Sequence, residues 1–392
     1  MDEPPEEREQ RVTPLELFFD LVFVYAITQV TRLMARDPTW QGVGRGLAVL
    51  AAIWWTWTGY AWLTNALEPE EGNVRAGMFG AMATMLVVAL AIPDAFREDA
   101  MLFAVAYFVV GLLNLVLFTI AGRRVPSLLR PAARAIPTAT IGPLAILAAA
   151  SVEGSWRAAL WVVAIAVMYA SALIGHGKGW HVSPAHFAER YGLIVIIALG
   201  ESVIAIGFGA EGVTLDVGAV AAVVLGMAVI AALWWAYFDV IAVLVQRQLS
   251  RTSGAVRTRL ARDLYPYLHL PMIAGIVLPA LALEKTIEHV DEPLAGVSAV
   301  ALCGGLSLYY LAHVAERIRL VHSMRRSTEE RPAWIGPGRL AAGVVLLALT
   351  PVAVEVPALA SLALVTAVCW ALIAWDIMHY RQHRIEVRRA RP

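Results

Sequence analysis

The stretch that most restricts this chain is residues 213–245, 33 residues with only two charges, Asp216 and Asp239. About 20 mostly apolar residues are enough to cross the hydrocarbon of a bilayer. A helix this long and apolar on every side has no place on the surface of a soluble domain. Several other stretches repeat the pattern. Composition agrees, with 59% hydrophobic and 16% charged residues, where soluble domains carry roughly a quarter charged. The chain therefore reads as an all-α, polytopic integral membrane protein, and its 392 residues count spans rather than soluble domains.

Helices are expected at about 14–35, 43–66, 74–93, 100–121, 134–151, 156–175, 187–208, 214–246, 264–285, 294–316, 336–353 and 357–380. That makes twelve transmembrane helices. Residues 247–263 and 318–335 are too polar to span and read as loops or surface helices. Residues 1–13 form an acidic, disordered tail with no basic region or cleavage site of a signal peptide. Residues 381–392 form a basic tail.

Loop charge sets the orientation. Arginines gather after the fourth, eighth, tenth and twelfth helices, for example Arg123, Arg124 and Arg130, then Arg247 and Arg251, then Arg317 and Arg319. Acids such as Asp94, Glu153, Glu211, Glu288 and Glu355 occupy the alternate loops. Both termini are thus expected in the cytoplasm. The first hairpin breaks the rule, with Arg32, Arg36 and Arg45 outside and Glu68, Glu70 and Glu71 inside.

The two halves of the chain, 14–182 and 183–380, match in order. Thr13-Pro14 corresponds to Ser183-Pro184, Trp54-Trp55 to Trp234-Trp235, and Arg130-Pro131 to Arg331-Pro332. Two six-helix repeats of the same orientation follow, because six spans return the chain to its starting side. Functional sites of several transporter folds lie at such a repeat interface.

Ionisable side chains within spans are costly, so each is a candidate for function. Glu16 and Asp20 are four apart on one helical face. His186, Arg190 and Glu201 form one stripe on the seventh helix, with Arg190 and Glu201 roughly 16 Å apart. The repeat sets Glu16 against His186 and Asp20 against Arg190, so Asp20 is expected to pair with Arg190 and leave Glu201 unpaired. Glu16 also fits a capping box opened by Thr13. Glu189 is placed at the inner vestibule. Asp239 reads as a buried acid, and His269 lies between Pro266 and Pro271 on a helix expected to kink. The pairs Trp54-Trp55 and Trp234-Trp235 are candidates to line a pocket. His313, Glu316, Asp376 and His379 read as interfacial, near inner helix ends.

No phosphate-binding loop, His-Glu-x-x-His or Gly-x-Ser-x-Gly motif occurs. Neither a catalytic residue set nor a cofactor or metal site is therefore expected, and Cys303 and Cys369 lie in separate apolar runs. The basic loops face lipid rather than nucleic acid. A hydrophobic seam between copies would make a homodimer.

Three runs resemble one family. Residues 13–24, Thr-Pro-Leu-Glu-Leu-Phe-Phe-Asp-Leu-Val-Phe-Val, look like the opening signature of the bacterial low-temperature-requirement A membrane proteins. The run from His186-Phe-Ala-Glu-Arg to Ala-Leu-Gly-Glu201 resembles their second motif, and Trp234-Trp-Ala-Tyr-Phe-Asp239 a third. The resemblance implies a polytopic membrane protein and no particular reaction. The Phe18-Phe19-Asp20 element is also similar, over a few residues, to the signature helix of lysosomal-type potassium channels.

A duplicated bundle with buried acids and no ATP motif favours a secondary transporter, proton-coupled, moving a small solute or ion. An ion channel lined by Asp20 is the second reading. The third is a membrane-embedded enzyme or lipid-binding protein using Glu201, Asp239 and His269.

Overall fold

The structure is a computed structural model and describes every residue except 1–10, 67–71, 125–128, 175–179, 181, 325–335 and 381–392. Most of both expected tails, and Glu68, Glu70 and Glu71, thus lie outside the described residues. Among the described residues the architecture is all helical. The first half comprises α1 (Pro14–Arg36), α2 (Trp40–Thr64), α3 (Gly72–Ala91), α4 (Ala100–Arg124), α5 (Leu129–Ala150) and α6 (Gly154–Ile174). The second comprises α7 (Pro184–Ala210), α8 (Val217–Ala236), α9 (Ala242–Ser250), α10 (Gly254–Arg262) and α11 (His269–Glu288). It continues with α12 (Gly296–Met324), α13 (Gly336–Ala348), α14 (Thr350–Ala353) and α15 (Ala358–His379).

Eight helical stretches among the described residues are long and apolar enough to cross a membrane. Three of them are compound. The α3 helix runs on into the 3-10 turn Ile92–Asp94. The π-helical turn Tyr237–Ile241 joins α8 to α9, and Asp263–Leu268 joins α10 to α11. The α2 helix has the length to span, but its tryptophans, threonines and glycines dilute its apolarity. The apolar stretches Ala139–Ala150, Gly154–Ala170 and Pro337–Ala353 are shorter.

The surface is that of a protein solvated by hydrocarbon. Val217, Trp156 and Met378 are 87%, 74% and 69% exposed, whereas Glu16, Glu316, His186 and His313 are fully buried. In lipid the outer face carries apolar side chains, and charged groups turn inward to partners. Hydrophobic burial then adds little between helices, and close packing takes over. The contact of α11 with α12 is an instance. A Cβ on Gly275 would stand 2.6 Å from the Tyr309 amide nitrogen, and one on Gly305 2.5 Å from Pro279 Cδ. Only glycine lets these backbones approach so closely.

The helices pack in a regular order. In the first half α1 packs on α2 and α3, α3 on α4, α4 on α5, α5 on α6, and α2 on both α6 and α4. In the second, α7 packs on α8 and α11, α11 on α12, α12 on α13, and both α8 and α13 on α15. The halves meet where α1 touches α7 and α11 and where α2 touches α11.

Three expectations are sharpened. Residues 247–263 are largely helical, because α9 and α10 extend the neighbouring spans. The tenth expected helix, set to end at 316, continues as α12 to Met324. The proline pair near His269 yields a π-helical turn with Pro266 inside it, since proline donates no backbone hydrogen bond. Two of the three cations that broke the charge rule in the first hairpin have an acidic partner. Arg36 lies 3.6 Å from Asp94 and Arg45 3.6 Å from Asp37, and Arg32 stacks over Phe208.

A charged seam as the candidate functional site

The seam starts at the first turn of α1. Thr13 caps the helix and Pro14 opens it, since proline's missing N–H is not needed there. Glu16 closes the capping box, accepting from the Thr13 amide at 2.9 Å and the Thr13 hydroxyl at 3.1 Å. The same carboxylate reaches across to α7, where His186 Nε2 lies 3.0 Å from Oε1 and 3.2 Å from Oε2. Glu16 is therefore both a cap and an interhelical anchor.

One turn further, Arg190 Nη2 donates to Asp20 Oδ1 at 3.0 Å, and Nη1 lies 3.4 Å from Glu16 Oε1. Trp57 of α2 donates its indole N–H to the same Asp20 oxygen at 2.8 Å, and its ring lies 5.6 Å from the Arg190 guanidinium carbon. All these groups are at most 2% exposed. A buried ion pair offsets its desolvation only with good geometry and added hydrogen bonds. Here two acids, one guanidinium, one imidazole and one indole supply both. Asp20 Oδ2 and Arg190 Nε make no hydrogen bond among the described residues, so the network keeps unused capacity.

Near the other end of the seam, Glu201 is 2% exposed and accepts from the Thr28 hydroxyl at 2.5 Å. The expectation that Glu201 has no partner is thus corrected: its partner is a neutral hydroxyl. That hydroxyl also lies 3.2 Å from the Val24 carbonyl. An ionised Glu201 receives the hydroxyl proton. A protonated Glu201 can donate to the hydroxyl oxygen, which then turns its own proton to Val24. The triad satisfies either state without moving the backbone.

The contacts Glu16–His186, Asp20–Arg190 and Thr28–Glu201 climb both helices in the same direction, so α1 and α7 run parallel. From Glu16 to Thr28 is roughly 18 Å along α1.

The remaining candidates fall elsewhere. Glu189 is exposed and accepts from the Val12 amide at 3.1 Å, outside the seam. Asp239, expected to be buried, is half-buried in the π-helical turn. Trp54 donates to the Pro266 carbonyl at 2.7 Å and stacks on Trp57, so it ties α2 to the second half. Trp55 is half-buried against Tyr169 and Tyr267. Trp234 is 47% exposed and stacks on Phe238, while Trp235 is half-buried near Trp370.

His269 joins a second buried cluster. Its Nε2 lies 2.9 Å from the Tyr237 hydroxyl, and its Nδ1 is 3.0 Å from the Leu264 carbonyl and 3.3 Å from Glu316 Oε1. Glu316 and His313, expected near the inner end of their helix, are fully buried among the helices, and α12 runs on to Met324. Tyr191, next to Arg190, stacks on Tyr265 and contacts Trp57 and His269 edge-on, so aromatic rings join the two clusters.

An apolar exterior around helices that seal charged pairs within defines a polytopic helical membrane protein. The chain matches the model for the bacterial low temperature requirement A protein (LtrA) family over residues 11–374 and belongs to that family. It is similar to an uncharacterised protein of Rhizobium meliloti (strain 1021), 30% identical over 304 residues that cover 75% of this chain and 74% of the relative. No solved structure matches it.

Proposed function

We propose that the protein is a proton-coupled secondary transporter of a small solute or ion, with the α1/α7 seam as its coupling site. In this reading twelve spans form two six-helix repeats of one orientation in the bacterial cytoplasmic membrane, with both termini in the cytoplasm. The observation that carries the proposal is the Glu201–Thr28–Val24 arrangement: a buried carboxyl whose donor, the Thr28 hydroxyl, has a second acceptor in reach. A site that must load and release protons in a dry interior needs satisfied partners in both states. The Asp20–Arg190 pair, by contrast, is fixed in place by Trp57.

Three features support the duplication. The neighbour order of α1 through α6 recurs in α7 through α15. The central helices are parallel, as same-orientation repeats require. Tyr107 of α4 donates to the Ala52 carbonyl of α2, and Tyr309 of α12 donates to the Leu233 carbonyl of α8. The tyrosines are 202 residues apart and the acceptors 181, close to the 201 and 180 separating Arg130-Pro131 and Trp54-Trp55 from their counterparts.

Reconstitution into liposomes loaded with a pH-sensitive dye tests the function. An imposed gradient of the correct solute, drawn from a panel of cations, anions, amino acids and drug-like cations, is expected to drive proton movement. Absence of proton movement under every gradient, with folded protein in the vesicles, contradicts the proposal.

A further inference from the structure

The cluster around Glu316 lies outside the α1/α7 seam and is built differently from a structural ion pair. Glu316 is fully buried on α12, and neither carboxyl oxygen makes a hydrogen bond among the described residues. His269 Nδ1 lies 3.3 Å from Glu316 Oε1. That nitrogen also lies 3.0 Å from the Leu264 carbonyl. A carbonyl can only accept, so Nδ1 carries the ring proton. In the neutral ring Nε2 then accepts from the Tyr237 hydroxyl 2.9 Å away. Tyr237 thereby fixes the tautomer and the ring orientation.

An ionised, fully buried carboxylate with no hydrogen bond is among the costliest groups a protein can hold. One bound proton removes the cost. Release of that proton leaves an anion 3.3 Å from a ring N–H that also faces the Leu264 carbonyl, so one donor lies between two acceptors. This is the same device as at Glu201, where one donor is shared between a buried carboxyl and a helix carbonyl. The π-helical turn Asp263–Leu268 supplies the carbonyl, and the Gly275–Gly305 contact brings α11 and α12 close enough for His269 to face Glu316.

The other charged and titratable groups around the cluster can be named. Arg339 of α13 adds positive potential at Glu316 while donating to Asp376 at 3.1 Å and to the Ala236 carbonyl at 3.3 Å. His313 Nδ1 is held by the Tyr309 carbonyl at 2.9 Å. Tyr265 acts from the π-helical turn and Tyr191 from α7. Toward the end of α12, Asp263 is engaged by Arg319 at 2.8 Å and by Arg262.

We propose that Glu316 and His269 form a second proton-binding centre, in which Glu316 binds the proton as an O–H group and Tyr237-oriented His269 stabilises the carboxylate when the proton leaves. The step balances as one O–H bond formed or broken, with the proton exchanged with water. It requires nothing of the Glu201 site and stands whether or not the protein transports a solute.

Infrared absorption of the protein in lipid nanodiscs tests it, followed across pH at the C=O stretch of protonated carboxyl groups. The wild type is expected to show a titrating component that Glu316→Gln removes and Glu201→Gln leaves in place. His269→Leu deletes the shared N–H donor, so the same component should shift to higher pH by about one to two units. Tyr237→Phe should shift it by a smaller amount. Should Glu316→Gln fail to fold, the His269 and Tyr237 variants carry the test. An unchanged titrating band in Glu316→Gln, or midpoints identical to wild type in both His269→Leu and Tyr237→Phe, overturns the proposal. The readout needs no flux, so a failure of the transport reading leaves it intact.

Discussion

Replacing Arg190 with methionine keeps the apolar stem of the side chain and removes the guanidinium. Arg190 is 1% exposed and serves Asp20 at 3.0 Å and Glu16 at 3.4 Å. After the substitution Glu16 retains His186 and the Thr13 cap, but Asp20 keeps only the Trp57 indole. Deleting one partner of a buried pair costs about 3–5 kcal/mol, mostly from the stranded charge. Ordinary interhelical hydrogen bonds in membranes are worth only about 0.6–2 kcal/mol, so the charge dominates. Asp20→Asn keeps an oxygen for Trp57 and loses about 1–3 kcal/mol. In the double variant no anion is stranded, so about 2 kcal/mol or more of the Arg190→Met loss should be recovered. Reversible unfolding in mixed detergent micelles measures all three losses. Losses that simply add within about 0.5 kcal/mol would refute the argument that the pair acts as a unit.

Three further outcomes are expected. Gly275→Ala places a methyl against the backbone of Tyr309, so it should cost about 1–3 kcal/mol in the same assay, while alanine at Gly44, where a Cβ meets nothing within 4 Å, should be tolerated. Trp57→Phe retains an aromatic ring beside Arg190 but loses the 2.8 Å bond to Asp20, for about 1.5–3 kcal/mol. Thr28→Val removes the donor to Glu201 at nearly constant volume, so proton flux in liposomes should shift in its pH dependence with the protein still folded.

The apolar runs made the helical membrane architecture legible in the sequence, because hydrocarbon imposes one demand along the whole length of a span. The α1/α7 contact was legible for a different reason. Matching two halves set Glu16 against His186 and Asp20 against Arg190, and the structure brings both pairs within 3.0 Å. The partners from other helices were not legible. Trp57 looked like one of several tryptophans in α2, and nothing in local spacing aims its N–H at Asp20. Thr28 is an ordinary threonine until Glu201 lies opposite. Glu316 was hidden by its neighbours, since Arg317 and Arg319 suggest an interface. The structure buries Glu316 fully among the helices, and α12 runs eight residues past it to Met324, adding roughly 12 Å of helix. The 47% exposure of Trp234 was not legible either, because its neighbour Trp235 in the same pair is half-buried.

The most direct test of proton-coupled transport compares wild type with Glu201→Gln in matched liposomes, recording proton and solute movement together. Glutamine keeps an acceptor for Thr28 and cannot exchange a proton. Wild-type vesicles are expected to move protons in fixed ratio to solute, and Glu201→Gln vesicles to lose solute-driven proton movement while the protein stays folded. Equal proton movement in the two would contradict the account.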